Sequence, residues 1–271
     1  MVRMTRPVPL CVVDAFASRP FEGNPAAVCL PPADATPAWM QAVASELALS
    51  ETAFLQPFDD GSWGLRWFTP LREVDLCGHA TLASAHALWE SGRLSETEAA
   101  RFQTRSGWLR CERSGGGAIR MDFPTRPATP CDVPGGLADV LGSDIRWCGR
   151  SAEDLLVELP HASVVRGLVP DLAALASLPA RGIIVTAVSD VPAHDFVSRF
   201  FAPAVGVPED PVTGSAHCTL GPFWAGRMGR ASLRGWQASR RGGCVAVDVL
   251  GERVALSGHA VTTWRGEWVA R

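Results

Sequence analysis

The ten residues Glu209–Cys218, EDPVTGSAHC, pack two acids, a proline, a glycine, two hydroxyls, a histidine and a thiol into one short run. A second run, DLCGHATLA from Asp75, sets an acid, a thiol, a glycine and a histidine in comparable order. In both, a glycine precedes a stretch that is apolar nearly all round, the mark of a helix buried on every side. The N-terminus of such a helix carries unpaired N–H groups and a partial positive charge, and so holds anions such as carboxylates. Glycine there lets a ligand approach the backbone closely. Two such ends facing across a cleft would form a small-anion site between domains. Taken singly, each run also reads as a plain capping turn; their matching positions argue for a site.

The match extends upstream. RWFTP begins at Arg66 and RFFAP at Arg199. The first leads to Asp75, then Cys77, Gly78, His79 and Ala80; the second leads to Asp210, then Thr213, Gly214, Ser215 and Ala216. Strand, proline turn, acid, glycine and buried helix recur in one order. This implies an internal duplication, with two similar halves joined near residues 124–135.

Further elements follow from pattern. VPLCVVDAF reads as a strand, PFEGNP as a turn and AAVCL as the returning strand. TPAWMQAVASEL reads as a helix with Thr36 as N-cap and Pro37 in its first turn. Met40, Val43, Ala44 and Leu47 fall on one face of it. LSETAFLQP follows as a strand on which Glu51 shares a face with Ala53 and Leu55. WLRCERSGGGAIRMDFP reads as a hairpin with a glycine turn, and TRPATPCDVPGG as a linker. RGIIVTAVSD and DFVSRFFAP read as strands, and the chain ends in a hairpin around Gly251.

Composition narrows the chemistry. The chain has 271 residues, 47% of them apolar, enough for one large core or two modest ones. Net charge is -3 and the arginines are spread along the chain, so no nucleic-acid surface is implied. All 25 basic residues are arginine and there is no tyrosine, which excludes lysine Schiff-base and tyrosine acid chemistry. The eight cysteines are scattered, with no C-x-x-C pair, against a zinc cluster or a disulfide scaffold. They are expected to be reduced thiols in a cytoplasmic protein. No apolar run reaches the roughly 18 residues of a membrane span, and no secretory signal is expected.

At this point the sequence resembles the phenazine-biosynthesis PhzF-like isomerases over nearly its whole length. VDAF with PFEGNPAAV matches the family's opening, LSETAFL its second signature and DLCGHATLA its third. RFFAP with EDPVTGSAHC matches its fourth, and QASRRGG with LSGHAV its tail. The order and spacing of these signatures make the match specific. A second SET at Ser95–Thr97 lacks that context and reads as a helix cap.

The resemblance implies an α+β fold of two pseudo-symmetric domains, each an antiparallel sheet wrapped around a central buried helix as in diaminopimelate epimerase. The halves would be residues 1–124 and 125–271, with the C-terminal strand free to return to the first half. It further implies a homodimer, a small carboxylate substrate and proton transfer without metal or organic cofactor. The catalytic positions of the family fall on Glu51, His79, Asp210 and Ser215, and Gly78 and Gly214 would hold the substrate by their backbone, beside Cys77 and Thr213. The chemistry suits a carboxylate: moving a proton between carbons needs one group that takes it and returns it nearby, and apolar surroundings raise a carboxyl's pKa toward neutrality. His217 lies inside the fourth signature but is expected only to pack.

Two other functions stay open. Related epimerases and racemases of this fold use a cysteine at each helix start. Cys77 occupies the first position but Thr213 the second, which leaves a one-thiol epimerase or dehydratase. A binding or scaffold protein that keeps the fold without turnover is the third reading.

Overall fold

The computed structural model describes residues 7–269. The chain separates into two compact units. One comprises the residues up to Met121 and those from Gly258 onward; the other is Asp122–Ser257.

In the first unit, β1 (Val8–Ala15) turns into β2 (Asn24–Cys29), then α1 (Pro37–Leu47), β3 (Glu51–Pro57), β4 (Trp63–Phe68) and β5 (Glu73–Val74). Next come α2 (Gly78–Glu90), β6 (Ala100–Thr104), β7 (Gly107–Arg113) and β8 (Ile119–Pro124), the last three residues of which count with the second unit. β1 and β2 pair antiparallel, β2 and β3 parallel, β3 and β4 antiparallel. β4 carries β5 antiparallel and β6 parallel, and β6, β7 and β8 continue as an antiparallel meander. Both parallel steps span a helix, as parallel neighbours require a long crossover.

α1 forms as its sequence indicates. The Thr36 hydroxyl accepts the Trp39 N–H at 3.2 Å, a cap worth about 1 kcal/mol. Met40, Val43 and Ala44 are buried in a cluster with Phe54 and Phe68, each large side chain contributing about 1.5–3 kcal/mol. The helix stops at Ala48, held at φ 51°, so the chain enters β3 at Glu51 on a fixed path.

α2 has ten of its thirteen residues buried and packs against β1, β2 and β3. Its small side chains let the strands close around it. The hydroxyls this buries bond back to the helix, Thr81 to the Cys77 carbonyl at 2.6 Å and Ser84 to that of Ala80 at 2.7 Å.

The second unit runs β9 (Thr129–Pro130), α3 (Leu137–Leu141), β10 (Trp147–Arg150), β11 (Asp154–Glu158), α4 (Ala162–Gly167) and α5 (Leu172–Ala176). It continues through β12 (Gly182–Val188), β13 (Phe196–Ala202), β14 (Val207–Asp210), α6 (Gly214–Met228), β15 (Ser232–Gln237), β16 (Gly243–Leu250) and β17 (Arg253–Gly258). β10 and β11 are antiparallel, β11 and β12 parallel, β12 and β13 antiparallel. β13 carries β14 antiparallel and β15 parallel, and β15, β16 and β17 form an antiparallel meander. The last strand, β18 (Ala260–Trp268), belongs to the first unit and pairs antiparallel with β1. The class is α+β, with each unit's mainly antiparallel pairing interrupted at the two helical crossovers.

One feature departs from the sequence reading. The run TRPATPCDVPGG is tied to the second unit rather than bridging freely: β9 pairs with Gly149 and Arg150, and the Thr125 N–H donates to the Glu252 carbonyl at 2.9 Å. A Pro- and Gly-rich composition masks these bonds because neither residue advertises a strand. Pro222 sits inside α6 and cannot donate to the Cys218 carbonyl. The Arg126 N–H fills that vacancy at 2.9 Å, so the same run also completes the buried helix.

Candidate active site

Glu51 opens β3 opposite Ala26 of β2, and its side chain is 18% exposed. His79 is the second residue of α2 and is buried. The crossover through α1 on one side and the turn from β5 into α2 on the other bring them together: Glu51 Oε2 lies 3.1 Å from His79 Nε2. The opposite ring nitrogen, Nδ1, meets the side-chain amide of Asn24 at 3.2 Å. Asn24 begins β2 and is fully buried. Cys77, the N-cap of α2, places Sγ 3.5 Å from His79 Nδ1 and 3.9 Å from Nε2. The imidazole is thus fixed on both edges, with the half-buried Glu51 carboxylate on Nε2.

The electrostatics follow from burial and this pairing. Burial pulls the His79 imidazole down, but Cys77 and the Glu51 carboxylate more than offset it and hold the group well above its ordinary value. Burial, reinforced by the Glu51 charge, pushes the Cys77 thiol up to about 11. At neutral pH Cys77 is therefore a thiol, and the charge that favours a protonated His79 is that of Glu51.

In the second unit Asp210 ends β14 and Ser215 is the second residue of α6. Asp210 Oδ2 accepts the Thr213 hydroxyl at 2.5 Å. Gln237, fully buried at the end of β15, fixes this turn: Oε1 accepts the Thr213 N–H at 2.9 Å and Nε2 donates to the Asp210 carbonyl at 2.7 Å. The Ser239 hydroxyl donates to the Pro211 carbonyl at 2.8 Å. The Ser215 hydroxyl oxygen accepts from Arg181 Nη2 at 3.1 Å. Arg181 is itself held bidentate by buried Asp154 at 2.9 and 2.6 Å. Burial disfavours the guanidinium's charge, yet Asp154 keeps it above its ordinary value.

Neither N-cap residue, Cys77 nor Thr213, closes its helix with a side-chain bond. The helix starts at Gly78 and Gly214 therefore keep their capacity to meet an anion. His217 is buried with Nδ1 2.8 Å from the Thr213 carbonyl and its ring 5.9 Å from that of Phe196. Burial lowers its pKa to about 4, so it packs as a neutral ring.

The first unit thus assembles Glu51, Cys77 and His79, and the second assembles Asp210, Thr213 and Ser215. Asn24, Gln237, Arg181 and Asp154 were not singled out from sequence. Asn24 is the chain's only asparagine and lies in an otherwise apolar strand; Gln237 heads the QASRRGG signature. Both signals existed, but the partners lie far away in the chain. The donor atoms of Glu51, Cys77 and His79 lie within 4.8 Å of one another, the one such cluster of His, Cys and carboxylate groups among the described residues. Sequence spacing does not reveal it because one donor comes from a separate strand.

Comparison with known proteins identifies the family. The family model described as phenazine biosynthesis-like protein matches residues 13–266. An uncharacterized isomerase of Halalkalibacterium halodurans is 48% identical over 260 residues, covering 96% of this chain and 97% of that protein. The crystal structure of a PhzF-family phenazine biosynthesis protein from Enterococcus faecalis superimposes with a TM-score of 0.92 at 39% identity, covering 97% of this chain and 99% of the other. A hydroxyproline epimerase from Agrobacterium vitis shares the fold alone, at a TM-score of 0.63 and 11% identity, covering 98% and 93% of the two chains. Matches of this extent place the chain in the phenazine biosynthesis-like (PhzF) family, among its isomerases.

Proposed function

We propose that the protein moves a proton on a small, cyclic amino or hydroxy carboxylic acid, with Glu51 taking the proton from one carbon and returning it to another. The observation that carries this reading is the Glu51–His79 contact of 3.1 Å, with His79 backed by Asn24. A carboxylate used as a shuttle must stay within reach of both carbons and must not drift between steps. Its position at the start of a regular strand, against a ring fixed on both edges, supplies that restraint. His79 balances charge on Glu51 as the proton leaves and returns. Asp210 and Ser215 serve binding: the first is a carboxylate suited to a substrate amine or hydroxyl, the second a hydroxyl beside a helix N-terminus suited to a carboxylate.

The test starts with a screen of dihydro-hydroxyanthranilate and related cyclic amino and hydroxy acids for solvent-deuterium incorporation. On the substrate found, Glu51→Gln keeps the side chain's shape but removes the shuttle. Turnover should fall by about 10²–10⁴, with deuterium entering product correspondingly more slowly and melting temperature little changed. Normal turnover by Glu51→Gln would sink the assignment.

A further inference from the structure

We propose that Arg181 binds substrate directly, its Nη1 group and the Ser215 hydroxyl together taking the ligand's carboxylate. This rests on the proposed placement of that carboxylate at Ser215 and adds the charged donor that recognises it. Arg181 stands immediately before β12, and its guanidinium is fixed on two sides. Buried Asp154 holds Nε and Nη2 at 2.9 and 2.6 Å, and the guanidinium carbon lies 5.4 Å from the Phe200 ring centre. Nη2 also donates to the Ser215 oxygen at 3.1 Å. Nη1 has no hydrogen-bond partner among the described residues, is not buried, and belongs to a side chain that is 32% exposed. An arginine locked along one edge with an amino group to spare is a donor already oriented for a carboxylate. Ser215 is half-buried, and its proton likewise has no acceptor among the described residues. Nη1 and the hydroxyl therefore offer one donor to each oxygen of a carboxylate.

The internal repeat adds a second, independent argument. In the first unit, the second residue of the buried helix, His79, is met at 3.1 Å by Glu51 at the start of β3. In the second unit, the second residue of the buried helix, Ser215, is met at 3.1 Å by Arg181 at the start of β12. Both strands are entered by a crossover from a parallel neighbour. Arg181 thus brings a cation to the place in its unit where Glu51 brings an acid in the other. Three carboxylates bear on Arg181 and weaken its pull on an anion. Two of them are already engaged: Asp154 with Arg181 itself, and Glu153 with Arg126 at 2.6 Å. The third, Asp210, is the group suited to the substrate's amine or hydroxyl. A ligand with an amine beside its carboxylate satisfies both charges at once.

The experiment uses the whole protein and two probes that differ only in charge, anthranilate and its neutral carboxamide, each titrated calorimetrically. The wild type should prefer anthranilate. Arg181→Met should weaken anthranilate by about tenfold or more, the worth of a hydrogen bond to a charged group, and change the carboxamide little. The loss should persist when Arg181→Met is made in a Ser215→Ala background. Arg181→Met leaves Asp154 buried without its partner, which can unfold the chain. Arg181→Met/Asp154→Leu removes the pair together and carries the test in that event. Equal weakening of both probes would make Arg181 a purely structural residue and overturn the proposal. A loss that vanishes in the Ser215→Ala background would mean that Arg181 acts only through Ser215, which overturns direct contact. If Ser215→Ala weakens anthranilate and Arg181→Met does not, the assignment of Arg181 alone fails. If the wild type binds no anthranilate or shows no preference for it, or if Ser215→Ala has no effect, the placement of the carboxylate at Ser215 fails, and this proposal with it.

Discussion

The two units repeat a scaffold down to individual bonds. In the first, Arg66 of β4 holds Glu73 bidentate at 2.7 and 2.8 Å and lies 5.2 Å from the Phe68 ring. In the second, Arg199 of β13 holds Glu209 at 2.7 and 2.9 Å and lies 4.8 Å from the Phe201 ring. Each pair braces the turn that delivers the chain to a buried helix. The chemistry past that turn differs. Register makes the difference explicit: Thr52 pairs with Phe68 and Ile183 with Phe201, so the counterpart of Glu51 is Gly182. A side chain at Gly182 would meet the Phe200 ring at 2.3 Å. The second unit has no room for an acid where the first has Glu51. In its place, Arg181 and Asp154 steady Ser215, the counterpart of His79. The duplication preserved a brace and a helix start, while one copy became an acid–base pair and the other a set of fixed donors.

The sharpest way to break this comparison is to remove the groups that differ. Glu51→Gln should cost about 10²–10⁴ in turnover. Ser215→Ala removes a hydrogen bond to a charged group, about 1.5–3 kcal/mol, and should raise KM roughly tenfold or more while lowering kcat less. If both variants lost kcat equally, the division of labour would be wrong.

The two helices also differ in their buried histidines, and acid separates them. His217 on α6 has no charged partner; its Nε2 has no hydrogen-bond partner among the described residues, and its folded pKa is about 4. Its ordinary value is 6.5. Between these values the unfolded chain takes up a proton that the folded chain refuses. The stability that His217 contributes is therefore complete above pH 6.5 and is lost as pH falls toward 4, by about 3 kcal/mol over the window. Denaturant melts across that window should show wild type losing stability faster than His217→Asn, which keeps a donor for the Thr213 carbonyl. Parallel pH profiles would show that the ring already carries a proton when folded.

Gly182→Ala tests the register argument without introducing a charge. Overpacking against Phe200 should destabilise the protein by about 1–3 kcal/mol in urea, while Glu51→Ala, at the equivalent place, should change stability much less. Equal effects would mean that the two strands are not counterparts.

What could be read from sequence followed chain proximity. α1 was legible because Thr36, Pro37 and one apolar face all lie within twelve residues. Both helix starts and the RWFTP/RFFAP repeat were legible for the same reason. The segment from Leu137 to Ala176 was not, because its helices α3, α4 and α5 are only five or six residues long and show less than two turns of periodicity. Asn24 and Gln237 were missed because each acts through bonds to residues 55 and 24 positions away, which no local pattern encodes. Arg181 and Asp154 form a pair across two strands and became visible only when β11 and β12 were placed side by side.

The smallest effect is expected from the residue that invites the most chemistry. Cys77 is positioned like a catalytic thiol, at a helix start beside a histidine, and in a one-thiol mechanism its loss would be severe. Yet burial holds its pKa near 11, with the Glu51 charge adding to the effect. Less than one molecule in a thousand would carry the thiolate at pH 7. Thr213 stands at the matching place in the second unit, so no second thiol answers it. Cys77→Ser keeps a small polar side chain at the N-cap and, with Glu51 and His79 intact, should reduce turnover only a fewfold. A loss of turnover of a hundredfold or more, with the circular dichroism spectrum unchanged, would transfer the proton chemistry from Glu51 to the thiol and make the first unit an epimerase-type centre.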